Sequence, residues 1–448
     1  MLDPAQAQER CAAAIDLALR AGADAADAVA IGSSSEQVQV RLGKLEDVGR
    51  SESEDLGLRV FVGRRSASIH ATDIGDAALK ELAERAVAMA KAAPEDEYAG
   101  LAPQELLAKG PFPDLDLVDP DEPSPGALRA LAEEAEDAAR AVPGITNSEG
   151  AGASFGHNAV ALVTSHGFAG SYSSTGISLG ASVVAGEGAR MQRDYEYRTV
   201  HHAADLLPPA EIGRTAGERA VARLDPGRMT SQPLTVVFDP RVGNSLLGHL
   251  VQAISGPAIA RRASFLLGKL DDELFPPDIR VIEEPHRKRG LRSRPFDGEG
   301  LPSVPHALVE NGKVAMWLTN AASARQLGVP LTGHAARGAS GAPGVGPSNV
   351  YLAPGKLSRD ELIADIGQGV LVTELIGQGV NGVTGDYSRG ASGFRIENGE
   401  IAGPVAEFTI AGNLLDMFKR MTAASDLELY RGTDVPTVRI EGMTVAGD

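Results

Sequence analysis

His249 comes nearest of any side chain in this sequence to a catalytic setting. It lies in the stretch Pro233–Gly268, PLTVVFDPRVGNSLLGHLVQAISGPAIARRASFLLG. Val242, Leu246, Leu247, Leu250, Val251 and Ile254 recur at the spacing of one apolar helix face, and Ser245, His249 and Gln252 fall on the other side. A helix-borne zinc site needs two His a turn apart and an acidic base between them, because the ion requires three fixed N, O or S ligands and its water requires a proton acceptor. His249 has no such partner on either neighbouring turn. A lone His at the edge of an apolar face is ordinarily a hydrogen-bonded or solvated residue.

The elements that must position this helix are legible on both sides of it. Leu234 to Phe238 is a short apolar run rich in β-branched residues, and Asp239-Pro240 stops it, which predicts a strand leading through a turn into the helix. Ser255-Gly256-Pro257 supplies the stop at the other end.

In this stretch the chain resembles the TldD/PmbA family, and within it the PmbA branch, also called TldE. The TldD branch carries a His-Glu-x-x-x-His motif where this sequence reads Gly248-His249-Leu250-Val251-Gln252-Ala253, after the same Leu-Leu and before a matching Arg261-Arg262. By that resemblance Gly248 replaces the first His, His249 the Glu, and Ala253 the second His. The TldD branch also takes a Cys ligand near its C-terminus, whereas the single Cys here is Cys11. The resemblance therefore implies no metal on these residues and no catalytic residue; zinc is expected only on a TldD-like partner. It continues through Asp297-Gly298-Glu299-Gly300-Leu301-Pro302, Leu308-Val309-Glu310-Asn311-Gly312, Leu331-Thr332-Gly333 and Tyr351-Leu352-Ala353-Pro354-Gly355. Each piece is weak alone, since Asn-Gly and Pro-Gly are common turn dipeptides, but their order is specific. The family's Gly-Val-x-Gly-x-Tyr region, here Gly382 to Tyr387, places Asp386, Tyr387 and Ser388 along a peptidase groove by resemblance.

Other chemically capable residues carry weaker signals. His157 and His166 lie at strand ends, and His201-His202 follow Tyr195, Tyr197 and Val200, with no carboxylate at a ligand spacing, so a surface or turn role is expected. His334–Pro347, HAARGASGAPGVGP, is Gly-rich but precedes no helix and lacks a Gly-Lys-Ser/Thr ending; it reads as a flexible loop, the best candidate to touch a partner or peptide. Cys11 sits on the apolar face of an N-terminal helix, as a packed residue and not a nucleophile. HRKRGLRSR, 286–294, reads as a solvated basic loop or a contact for an acidic partner or peptide carboxylate.

The 448 residues suffice for two or three domains. Forty-two basic against 60 acidic side chains give −18, which opposes binding to a polyanion and counts against direct nucleic-acid binding, although some family members are described as gyrase modulators. No run of about 18 apolar residues predicts a membrane span. The N-terminus is acidic and amphipathic, unlike a signal peptide, and one Cys permits no internal disulfide, which suits a reducing cytoplasm.

The pattern predicts an α+β fold. An N-terminal α+β block over 1–93 has helices Pro4–Ala21 and Asp76–Ala93 and strands Asp27–Ile31, Glu36–Leu42, Leu56–Val62 and Ser66–Ala71. A Pro-rich acidic linker over 94–125 joins it to a second α+β block over 126–227, opened by a helix from Gly126 to Ala141 and closed by one from Pro209 to Leu224. A mainly antiparallel β C-terminal domain, metalloprotease-like by resemblance, covers 228–448. Asn311-Gly312 predicts a hairpin between Leu308–Glu310 and Lys313–Leu318, and Ser358 with Glu361 forms a capping box.

Three readings follow. The leading one is a PmbA-like subunit without its own metal, forming a heterodimer with a TldD-like metallopeptidase that acts on peptide substrates. The second is an autonomous metallopeptidase with atypical ligands, His249 with His286, His306 or His334. The third is a peptide- or protein-binding homodimer. Sequence assigns no substrate-binding residue.

Overall fold

A computed structural model describes residues 3–447. The N-terminal half is one six-stranded antiparallel sheet in the order β3-β2-β1-β4-β5-β6, formed by β1 (Ala25–Arg41), β2 (Lys44–Val62), β3 (Arg65–Ala71), β4 (Ile145–Thr164), β5 (Ala169–Ala185) and β6 (Gln192–Val200). The two helix-and-sheet blocks expected over 1–93 and 126–227 thus share a sheet, joined where β1 pairs with β4 from Asp27↔Thr164 to Val40↔Ala151.

The strands expected separately at Asp27–Ile31 and Glu36–Leu42 are one strand, β1. Gly32 to Ser35 shows no apolar alternation, but β2 and β4 pair with this stretch from both sides, and a doubly paired backbone holds small polar residues extended. Even-numbered β1 residues, Ala26, Ala28, Ala30, Val38 and Val40, face the helices. Helices α1 (Pro4–Arg20) and α2 (Asp76–Ala92) cover one end of that face; α3 (Pro125–Arg140) and α4 (Pro209–Ala222) cover the other. The last two touch closely, since a Cβ on Gly213 would stand 1.9 Å from the Ala135 carbonyl oxygen. The abundance of Ala and Gly here sets helix spacing.

The opposite face of the sheet meets the C-terminal half. Val29 and Leu162 pack there with Leu107, Phe168 and Phe296, the last two rings 4.9 Å apart and edge-on. The acidic 94–125 linker runs through this seam instead of hanging free. Ala108 N–H donates to the Gly300 carbonyl at 2.8 Å, and the Leu117 and Leu115 carbonyls accept from Thr175 and Arg289 N–H, each at 2.9 Å.

In the C-terminal half, β7 (Gln232–Phe238) pairs parallel with strand Gln368–Ile376 and antiparallel with Val438–Ala446. Strands Asp386–Glu397 and Glu400–Asn413 extend the sheet, and Thr409–Ala411 pairs with 444–446, closing it on itself. The Asn398-Gly399 turn has positive φ at both residues, 52° and 81°, as a two-residue hairpin requires. A second, five-stranded sheet includes His306–Glu310 and Lys313–Val314, so the second arm expected to reach Leu318 ends at Val314. The capping box at Ser358 and Glu361 is present. The whole is α+β.

Two segments differ from expectation. His334–Pro347 is not a free loop: Ala335–Ala336 pairs with Gly344–Val345, Arg337 is buried, and the Ala339 carbonyl lies against Gly57 of β2. Nor is 286–294 free, although Lys288, Arg289 and Arg292 are exposed. Arg289 bonds Asp116 of the linker at 2.6 Å and Asp205 of the second block at 3.0 Å, while Arg292 and Arg294 bond Thr433 and the Gly346 carbonyl. The run buckles segments of the chain together.

Candidate functional site

Helix α5 (Pro240–Ala253) follows β7 directly. Asp239 caps it by accepting from Arg241 N–H at 3.0 Å, and Pro240 occupies the first turn, where no N–H is needed. Gly243, Leu246, Leu247, Leu250 and Ala253 are buried on its core face. Leu246, Leu247 and Leu250 pack with Val236 and Phe238 of β7 and Phe418, so the helix is anchored and its other face is held in a fixed direction.

That other face lines two successive clefts. The first, of about 320 Å³, lies between the halves of the molecule, where Arg241 and Ser245 meet Asp194, Arg223, Glu374 and Arg389. The second, of about 440 Å³, is bounded by His249, Gln252, Ala253, Arg261, Gln378 and Val380. Gly248 opens on space: a Cβ there would meet nothing within 4 Å. Of the positions compared with the metal motif, Gly248 is half-buried on the open side of the helix, His249 lines the second cleft, and Ala253, buried, borders it.

His249 is half-buried, its Nε2 is buried without a hydrogen-bond partner, and its ring stands edge-on to that of Tyr387 with centroids 6.1 Å apart. Burial, then the nearby guanidinium of Arg389, push its imidazole below the usual histidine range. Tyr387 is 1% exposed, its hydroxyl is also without a partner, and burial raises its pKa in spite of Arg389. Arg389 is two residues on along the same strand and so projects to the same face as Tyr387.

Metal chemistry needs more donors than this cleft holds. Zinc takes three or four N, O or S ligands at about 2.0–2.3 Å. The cleft's lining contains one imidazole and no carboxylate or thiolate, and the charge in it, Arg261, is positive, as is Arg389 near His249. Cys11 lies elsewhere, buried on α1 against the Ala161 carbonyl, and burial pushes its thiol up to about 12, a protonated and unreactive state. The donor set does not fit zinc. Among the described residues no group of three His, Cys, Asp or Glu side chains is arranged to hold an ion.

The atypical ligands considered with His249 are not brought to it. His306 and His334 do meet each other, with ring centroids 5.1 Å apart, over Glu283. Both nitrogens of His334 are engaged, Nε2 with Glu283 at 2.5 Å and Nδ1 with Thr332 Oγ1 at 2.8 Å, while the other Glu283 oxygen accepts from Ser348 N–H and Oγ–H. His334, Glu283, Thr332 and Ser348 thus form a hydrogen-bonded brace, while Nε2 of His306 beside it is buried without a partner. His166 bonds the Ala102 carbonyl, His201 the Thr175 and Gly290 carbonyls, and His202 the Asp116 carbonyl, so these histidines fasten strands to the linker and the C-terminal half.

Of the groove residues implied by resemblance, Tyr387 touches the site from below. Asp386 is exposed and bonds Thr384 and Asn413, and Ser388 is exposed with its backbone N–H on the Gly379 carbonyl. Arg389 and Arg241 were missed by sequence reasoning. The alternation of a strand passing through Tyr387 would have indicated the first, and the i, i+4, i+8 series Arg241, Ser245, His249 the second.

A closed sheet feeding a helix that borders a peptide-sized groove, behind an N-terminal sheet with helices on one face, is an architecture of a defined class of metallopeptidase domains. Residues 26–90 match domain 1 of the PmbA/TldA metallopeptidases, 118–224 the central domain, and 231–447 the C-terminal domain. The chain belongs to the PmbA/TldD family. It is 37% identical over 442 residues to Metalloprotease PmbA of Escherichia coli O157:H7, covering 98% of this chain and 96% of that one. A Metalloprotease TldD homolog of Haemophilus influenzae is 25% identical over 218 residues, 45% of each chain. Among solved structures, a putative modulator of DNA gyrase from Bacteroides thetaiotaomicron superposes with a TM-score of 0.92 at 27% identity over the full length of both chains. TldE from Thermococcus kodakarensis shares the fold, with a TM-score of 0.86 at 22% identity, over 97% of this chain and 99% of that one.

Proposed function

We propose that this chain is the non-catalytic, metal-free subunit of a two-chain metallopeptidase, pairing with a zinc-bearing TldD-like chain and helping to enclose the peptide that chain cleaves. The observation that carries the reading is the combination on α5. The helix, its buried anchor and its cleft are in place, while by resemblance Gly248, His249 and Ala253 replace the His, Glu and His of the TldD branch. The names of relatives as metalloproteases, and of one structural neighbour as TldE, favour a peptide-hydrolysing setting. An extended peptide is held by backbone pairing and must be walled from water during hydrolysis, and a homologous chain without metal supplies such a wall. With −18 of net charge, nucleic acid is not its ligand, and the cytoplasm is its compartment.

Co-expression with a TldD-like chain, followed by purification through a tag on this chain and elemental analysis, tests the reading. About one zinc per pair and background zinc in the chain alone are expected from a single ligand set. Stoichiometric zinc in the chain alone, or no co-purification, would overturn it.

A further inference from the structure

The second cleft along α5 is uneven in chemistry. Phe265, Val345, Val380 and Leu414 give it an apolar wall, and Gln252 and Gln378 line it as neutral amides. Its lip is apolar too. Ile376, two residues before Gln378, is 59% exposed, and Val383, next to Gly382 of the lining, is 55% exposed. Apolar side chains grouped at the mouth of a cleft mark a surface used in binding. The charge in the lining is a single one, Arg261. It follows the short helix α6 (Gly256–Ala260), whose end is closed by Arg262 N–H on the Ile259 carbonyl and Ala263 N–H on the Ala258 carbonyl, each at 2.9 Å, with Arg262 at φ 57° where glycine is usual. That closure fixes the backbone from which Arg261 extends. Arg261 is exposed, and among the described residues its guanidinium has neither an ion pair nor a hydrogen bond. Asp386, bonded to Asn413 beside Leu414, is engaged also by Thr384 and does not line the cleft. His249 adds no charge near neutral pH, since burial holds its imidazole below the usual range. A molecule of net charge −18 thus carries, in this one cleft, an unneutralised cation beside apolar surface.

We propose that this cleft selects peptide segments in which a bulky apolar residue stands next to an acidic one, the apolar side chain lying against Phe265 and Val380 and the carboxylate pairing with Arg261. Neighbouring side chains of an extended peptide point to opposite sides, so one can enter the cleft while the other stays at its rim, where Arg261 is exposed. A guanidinium fork takes a carboxylate in two parallel hydrogen bonds. Burial of the apolar side chain supplies most of the affinity, because an ion pair left open to water contributes little. Basic segments, which the overall charge would attract, are turned away at the cleft itself. This selectivity deepens the proposed function and rests on it in taking the cleft as a peptide path, yet it concerns binding by this chain alone.

The test is fluorescence anisotropy of the purified full-length chain with N-terminally labelled, C-terminally amidated peptides of one length that differ only in a central pair: Leu-Glu, Leu-Gln, Leu-Lys or Gly-Glu. Leu-Glu should bind about three- to fivefold more tightly than Leu-Gln, the size of one solvent-exposed ion pair, and about tenfold more tightly than Gly-Glu. Leu-Lys should be the weakest of the three that carry Leu. Arg261→Gln should make Leu-Glu and Leu-Gln equal, and Arg261→Glu should reverse the order so that Leu-Lys binds best. Val380→Ser should weaken every peptide that carries Leu and leave the ratio of Leu-Glu to Leu-Gln unchanged. Thermal unfolding of each variant separates lost binding from lost fold. Equal binding of Leu-Glu and Leu-Gln by the unaltered chain, a preference that survives Arg261→Gln, or no binding of any of the peptides would overturn the proposal. Any of these together with hydrolysis by the mixture with a TldD-like chain would leave the proposed function standing, whereas the expected binding without hydrolysis in the mixture would count against that function and not against the selectivity.

Discussion

Gly248 lies inside α5 on its open side. A glycine inside a helix costs about 0.5–1 kcal/mol relative to alanine, and at this position a Cβ would meet nothing. Gly248→Ala should therefore raise stability by about that amount in urea unfolding of the isolated chain; destabilisation would mean that the position is enclosed. The histidines set a pH dependence. Burial, with like charge from His334, holds His306 below the ordinary histidine value, and burial with Arg389 does the same to His249. A base with a depressed folded-state pKa binds its proton in the unfolded chain first. Stability is thus fully present above the ordinary histidine value and is lost as pH falls from there through the folded value. The urea midpoint should drop over that acidic window, and His306→Phe should flatten the drop; an unchanged slope would show that His306 is not among its sources. What sequence revealed at this scale was the absence of a ligand pair beside His249. It did not reveal Arg389, because the arginine reaches the helix only through the register of a distant strand.

Among the elements, close contact is enforced by glycine. Gly213 of α4 sits against the Ala135 carbonyl of α3, a backbone atom that cannot swing aside. Gly213→Ala should force the helices apart and cost about 1–3 kcal/mol, read as a lowered unfolding midpoint; no loss would mean that the pair has slack. Anchoring α5 depends instead on bulk, and Leu250→Ala should cost about 2–5 kcal/mol by leaving a cavity under the helix. Helices were legible because their apolar period and caps are local, and α1 through α5 lie where the spacing puts them to within a few residues. The single strand β1 was not, since Gly32 to Ser35 carries no apolar alternation and is held by neighbours far along the chain. The two-residue turn at Asn311-Gly312 was legible for the opposite reason, being specified by its own residues, both at positive φ.

At the scale of the molecule, the two halves are joined by buried charge. Asp27 of β1 bonds Arg59 of β2 and Arg337 of the 334–347 segment, and Arg59 reaches Glu299 at 3.4 Å. Burial opposes the ionisation of Asp27, but Arg337 and Arg59 outweigh it and hold its carboxyl below the usual range. Asp27→Asn would strand two buried guanidiniums and should cost about 3–5 kcal/mol, measured by chemical denaturation; a near-neutral result would show that water or rearrangement satisfies them. The pairs of this seam were not visible in sequence, where 94–125 read as a linker and 286–294 as a solvated basic loop or a contact for an acidic partner, because groups that meet across it, such as Arg289 and Asp116, lie far apart along the chain. The seam brings β6 and α4 against α5 and so completes the groove's wall. The most direct test of a chain that shapes the groove and leaves cleavage to another is hydrolysis of an unfolded peptide by this chain alone, by a TldD-like chain alone, and by the two together. Turnover that appears only in the mixture and is abolished by a zinc chelator is the result predicted; chelator-sensitive turnover by this chain alone would contradict it.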